Sequence, residues 1–188
     1  MLRFAILFFL IVLNVPAAWA GQAEPPLLDT VRAFYDWALE HGKETAQLEP
    51  RIKAVAGTNR LFLDLSTLDS FTAGFMRSGY FAPDFTKAVA GYYRKHEAEI
   101  TAFPQSEFDE MARDGRGPLL ETEDMDIFFC AQEYEYRKPF IQGMRLKKTW
   151  LEGATATAVV ESPAKWETTF HFTKVQERWL ISGYCVYR

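Results

Sequence analysis

The stretch from Met144 to Tyr187, MRLKKTWLEGATATAVVESPAKWETTFHFTKVQERWLISGYCVY, decides the fold. β-Branched and aromatic residues recur in it with a period near two, the spacing of strands rather than helices. Gly153 and Ser162-Pro163-Ala164 interrupt the run where tight connections belong, and the pieces between them read as strands over 144–152, 154–161, 165–174 and 178–187. Connections this short join antiparallel neighbours. Lys147 and Lys148 alternate with Leu146 and Trp150, which marks an exposed strand edge where lysines discourage pairing with another chain.

Immediately upstream, residues 121–137 read ETEDMDIFFCAQEYEYR, and a further strand is expected over 127–136. Its alternation places Phe128, Cys130, Gln132, Tyr134 and Tyr136 on one face and Phe129, Ala131, Glu133, Glu135 and Arg137 on the other. Glu121, Glu123, Asp124 and Asp126 then form an acidic lead-in. The run lacks the alternating Asp/Asn spacing and central glycine of a calcium loop, so it reads as a strand with a solvated acidic flank and no metal is assigned to it.

Further back the period lengthens to that of a helix. Pro83-Asp84 starts a helix in which Phe85, Val89, Tyr92, His96, Ile100 and Phe103 recur every three or four residues, ending near Pro104. A shorter helix through Phe71, Phe75 and Met76 is capped by Asp69 or Ser70 and stopped by Ser78-Gly79. A first helix begins after Pro25-Pro26, carries Leu27, Leu28, Val31, Phe34, Tyr35 and Ala38, and is expected to stop at His41-Gly42. Residues 104–120 read as a loop with one helical turn around Phe108 and Met111, and 43–65 carry no strong period apart from the strand-like LFLDL at 61–65. Helices first and antiparallel strands after is an α+β arrangement, with N-terminal helices packed on an antiparallel sheet.

The first twenty residues, MLRFAILFFLIVLNVPAAWA, combine one positive charge, an apolar run and Ala18-Trp19-Ala20, the signature of a secretory signal peptide cut after Ala20. A retained anchor is the alternative, against which the short apolar run argues. No cysteine follows the cut, which disfavours a lipid-anchored form and leaves an exported periplasmic or secreted chain with no stable membrane anchor. Residues 21–188 suit one domain, and loss of Arg3 moves the formal charge from −4 to −5, leaving no basic patch for nucleic acid. Cys130 and Cys185 are the only cysteines, and in an oxidising compartment an even pair reads as one disulfide, with two buried thiols as the alternative. There is no CxxC, P-loop, dinucleotide fingerprint or GxSxG, and no cofactor is called for.

Helices followed by a curved antiparallel sheet behind a leader are similar to the cone of NTF2-like or cystatin-like proteins. More narrowly, FTAGFMRSGYFAPDFTKAVAGYYRKH at 71–96, GPLLETEDMDIFFCAQEY at 117–134 and WLISGYCVYR at 179–188 resemble the secreted bacterial family catalogued as domain of unknown function 3828, over residues 27–188. The resemblance implies the cone fold. It implies no common reaction, and no catalytic residue is carried over from it.

His96 interrupts an apolar stripe and is the candidate general base, with Asp64, Asp124 or Asp126 to orient it; the alternative is a core-edge histidine bonded to a carbonyl or tyrosine. His41 beside a helix end reads as structural and His171 is expected exposed. Tyr92, His96, Phe128, Tyr134, Trp150, Trp166, Trp179 and Tyr184 are the candidate pocket residues, which a large aromatic core would also explain. GRGPL at 115–119 suits either an anion nest with Arg116 or a turn.

Three functional readings follow. The first is an exported binding or accessory domain without evident catalysis, taking a protein partner or small apolar ligand. The second is a cone-fold enzyme using His96 with a carboxylate for proton transfer or hydration. The third is an immunity protein against an envelope-acting toxin. The strand faces also suit a homodimer.

Overall fold

The computed structural model describes residues 26–123, 125–132 and 136–188. The expected leader at 1–20, residues 21–25, Asp124, Glu133, Tyr134 and Glu135 lie outside the described residues. Helix α1 runs over Leu27–Ala46, strands β1 and β2 over Arg51–Ala54 and Leu61–Asp64, α2 over Leu68–Arg77, α3 over Pro83–Ala102 and α4 over Gln105–Asp114. A short helix α5 at Lys138–Gln142 leads into β3 at Arg145–Glu152, β4 at Thr155–Glu161, β5 at Glu167–Val175 and β6 at Arg178–Tyr184. These last four form an antiparallel meander in the order β3-β4-β5-β6, while β1 and β2 make a separate hairpin. The fold is α+β.

The buried strip of the meander carries Ala156, Ala158 and Val160 of β4, Phe170 and Phe172 of β5 and Ile181 of β6. Helix α1 supplies Val31, Phe34 and Tyr35 to the same core, and α2 and α3 supply Phe71, Phe75, Phe85 and Val89. Large aromatic rings run through this core and meet at angles that edge-to-face contacts favour: Phe34 and Phe81 lie 4.8 Å apart at 82°, and Phe75 and Phe85 5.2 Å apart at 63°. The segment before α3 covers the free edge of β6, with the Ile181 amide donating to Tyr80 O and the Ala82 amide to Ile181 O, each at 2.8 Å.

Several sequence expectations are corrected. Helix α1 does not stop at His41-Gly42 but continues to Ala46, because Gly42 serves close packing rather than termination. A Cβ there would stand 2.9 Å from the Phe128 ring, so the missing side chain lets the ring against the helix. Residues 105–114 are a full helix stopped by Gly115 in the left-handed conformation (φ 64°), which also accounts for the glycine of GRGPL. The buried tyrosine of α3 is Tyr93, while its neighbour Tyr92 is only half-buried. His171 is half-buried rather than exposed, with Nδ1 3.3 Å from the Thr157 hydroxyl, and burial lowers its pKa.

The expected strand over 127–136 is the largest departure, because residues 126–130 form a tight turn. A single Asp126 carboxylate oxygen accepts the amides of Phe128 at 2.8 Å and Phe129 at 3.0 Å, and the Cys130 amide donates to Asp126 O at 2.8 Å. Cys130 then takes a left-handed conformation (φ 52°) that no strand allows. Phe128 and Phe129 are both buried, one against Trp37 and Phe75 and the other against Tyr35 and Tyr136. Two consecutive core aromatics therefore imitate half of a strand pattern. The turn is tied to the C-terminus by a Cys130–Cys185 disulfide, and the buried Tyr184 hydroxyl donates to Ile127 O at 2.8 Å.

Candidate functional site

The helical spacing of α3 puts Ala88, Gly91, Tyr92, Lys95 and His96 on one side of the helix, facing the C-terminal turn. Between them lies a groove of about 340 Å³. Its inner surface is made by half-buried Ala88, Tyr92, His96 and Val186, and Gly91 adds open space because nothing lies within 4 Å of where its Cβ would be. Exposed Lys87, Lys95, Glu121 and Arg188 form the rim, so charges of both signs surround an apolar and aromatic floor.

His96 has a carboxylate within reach, and it is neither Asp64 nor Asp126, while the third expected partner, Asp124, lies outside the described residues. Its Nδ1 stands 3.1 Å from Glu99 Oε2, one helical turn along α3, and its ring meets Tyr92 edge-on at 4.5 Å. Asp64 is engaged elsewhere, 2.5 Å from Lys53 Nζ and accepting the Ser66 amide, which holds its carboxyl below the usual range. Asp126 serves the turn described above. The H-x-x-E spacing at 96–99 was the available signal for Glu99, since i and i+3 share a helix face.

Tyr92 lines the groove with its ring rather than its hydroxyl. Its hydroxyl is buried beside Thr122, yet neither hydroxyl makes a hydrogen bond of ordinary geometry, and burial raises the Tyr92 pKa. A buried donor without a well-placed partner costs stability, which an ordered water or a small shift of Thr122 would recover.

Of the other expected pocket residues, Phe128 and Tyr184 are sealed in the core at 4% and 0% exposure. Trp150 stands 54% exposed on β3, while Trp166, 38% exposed, borders a very small void beside Tyr35 and Phe140. Trp179 is half-buried on β6, where its carbonyl accepts the Thr30 hydroxyl at 3.3 Å. Among the described candidates only Tyr92 and His96 share the groove, and Tyr134 lies outside the described residues. A second depression of about 580 Å³ between α2 and α3 is bordered by Asp69, Met76 and Arg94 and shares Gly91, but it contains no histidine or tyrosine.

Behind the groove wall, Tyr93 donates to Glu49 Oε1 at 2.7 Å and stands 3.0 Å from the Tyr187 hydroxyl. Burial pushes the Glu49 carboxyl above its usual value of 4.5, against the opposing effects of Tyr93, nearby Thr122 and Arg51. A raised carboxyl pKa favours the folded state fully below the unfolded value and loses that contribution as pH rises through the folded one. Glu49→Gln keeps an acceptor for Tyr93 without the charge. Its melting temperature should therefore exceed that of the unaltered protein at pH 7, with a margin that shrinks as pH falls towards 4.5. A margin constant with pH in thermal scans would show that Glu49 does not titrate in this way.

Among the described residues, no three His, Cys, Asp or Glu side chains converge as metal ligands, and no helix is long and apolar enough to cross a membrane. Comparison with protein families, curated proteins and solved structures finds no match.

Proposed function

We propose that the chain is an exported binding or accessory domain, and that its ligand seats in the groove walled by Tyr92 and His96. The observation carrying this reading is the open groove itself, floored by two aromatic side chains of one helix face, Tyr92 and His96, and rimmed by charges of both signs. The mixed-charge rim over an apolar floor favours a ligand with an apolar body and a polar end, a peptide segment or small amphiphile, over a wholly apolar molecule. Export is supported by the leader-like residues 1–20, and the Cys130–Cys185 bond suits an oxidising compartment. The order of helices before a meander is in keeping with the NTF2-like or cystatin-like cone, and membership of domain of unknown function 3828 remains part of this proposal.

Gly91→Trp provides the test, because Gly91 is exposed, has free space around it and gains helix propensity on substitution. In a fragment screen followed by amide chemical shifts, perturbations should cluster at 88–96 and 186–188 and disappear in this variant without loss of thermal stability. Shifts scattered over the surface, or unchanged by the tryptophan, would remove the groove from consideration.

A second reading is favoured by the 3.1 Å His96–Glu99 pair, which gives a general base an orienting carboxylate and leaves its other ring nitrogen for a substrate. It requires any hydrolytic or proton-transfer activity found for the chain to fall on His96→Ala and to change its pH profile in Glu99→Gln. Activity insensitive to both substitutions would exclude it.

A further inference from the structure

Strand β3 is the edge of the meander, and among the described residues no strand or bridge pairs with its outer side. It is also where large apolar side chains meet solvent, with Trp150 54% and Leu151 51% exposed. Long edges of this kind are normally shortened, charged or covered.

The register of β3 contains an irregularity that changes how its sequence is presented. Leu146 pairs with Val160 and Lys148 with Val159, so Lys147 is an extra residue bulged from the ladder. The bulge reverses the alternation. Leu146, Thr149 and Leu151 lie opposite Val160, Ala158 and Ala156, whose buried side chains mark the helix-facing side. Arg145, Lys148, Trp150 and Glu152 lie opposite Glu161, Val159, Thr157 and Thr155 and share the other side.

We propose that two copies of this chain pair antiparallel along β3 about a two-fold axis through Thr149, joining their meanders into one continuous sheet. A two-fold axis perpendicular to a sheet preserves faces, so only residues of the same face can oppose one another. With Lys147 bulged out in both copies, Thr149 meets Thr149 and Leu146 meets Leu151 on the helix-facing side. On the outer side Lys148 meets Trp150, a cation against an indole, and Arg145 meets Glu152, a pair of opposite charges. Every facing pair is compatible in size or charge. Moving the axis to Lys148 opposes two lysines, and moving it to Trp150 leaves Arg145 and Leu146 beyond the end of the partner strand. The lysines read from sequence as deterrents to edge pairing thus disfavour the register centred on Lys148 and are compatible with this one.

Cross-linking tests the register directly, in the purified protein with its native disulfide intact. Under mild oxidation Thr149→Cys should give a covalent dimer, because the two positions are opposed at the axis. Glu152→Cys should not, because its two copies would lie about 20 Å apart along the strands. Glu152 is exposed, so Glu152→Arg should leave the melting temperature unchanged while weakening self-association about tenfold in sedimentation equilibrium, by placing arginine opposite Arg145. A monomer at all concentrations in sedimentation would overturn the proposal. Equal cross-linking of the two cysteine variants, or unaltered association of Glu152→Arg, would do so as well.

Discussion

Phe34→Ala should lower unfolding free energy by about 3–5 kcal/mol, the cost of deleting a fully buried phenylalanine and leaving a cavity. Phe34 is 0% exposed and sits where four parts of the chain meet. Its ring centroid lies 4.8 Å from Phe81 before α3, 5.5 Å from Tyr184 at the end of β6 and 6.3 Å from Phe128 in the turn, with Tyr35 of α1 alongside at 5.1 Å. Few of these neighbours can move into the void, because each is fixed by further rings. Phe34→Leu retains much of the volume and should cost less than half as much. Urea denaturation measures both, and a loss below about 1 kcal/mol for the alanine variant would mean that α1 is not packed on the meander as described.

The second large effect belongs to the disulfide. Cys130→Ala combined with Cys185→Ala should destabilise the protein by about 4 kcal/mol, the chain-entropy value for closing a loop of this size. The loop is set by a sequence separation of 55 residues. Loss of the bond also releases the two turns that it joins, since Cys130 and Cys185 both occupy left-handed conformations (φ 52° and 57°) that their surroundings must hold. Amide exchange should therefore accelerate first at 127–131 and 184–187. Denaturant midpoints equal with and without reductant would contradict this account.

Much of the fold could be read from periodicity. Except that β6 ends three residues early at Tyr184, the four strands of the meander and the start of α3 at Pro83 lie within two residues of the sequence reading, because they combine strong alternation or a helical stripe with sharp Gly or Pro boundaries. What escaped depended on tertiary packing. Gly42 resembles a helix stop until Phe128 is seen lying against it, and Phe128-Phe129 resembles strand until both rings enter the core. Helix α4 is nearly all polar, with only Phe108 buried, so its stripe was too thin to recognise. The choice between Tyr92 and Tyr93 turned on about 100° of helix rotation, which spacing alone does not settle.

The candidate site was legible only in part. His96 and Tyr92 were both selected, and they share the groove, because a polar interruption of an apolar stripe marks the border between core and solvent. The carboxylate beside His96 is Glu99 rather than one of the acids expected from sequence, and of the described aromatic candidates Phe128 and Tyr184 lie in the core while Trp150, Trp166 and Trp179 lie on or beside the meander, because sequence does not give the direction of a ring.

Native mass spectrometry of the protein expressed from its full 188-residue sequence and recovered from the cell envelope is the most direct test of the proposal that the chain is exported and binds a ligand. The account predicts a chain that begins at Gly21, carries the Cys130–Cys185 bond and retains a non-covalent mass that Gly91→Trp abolishes. A chain that still carries residues 1–20, or a bound mass indifferent to the tryptophan, would contradict it.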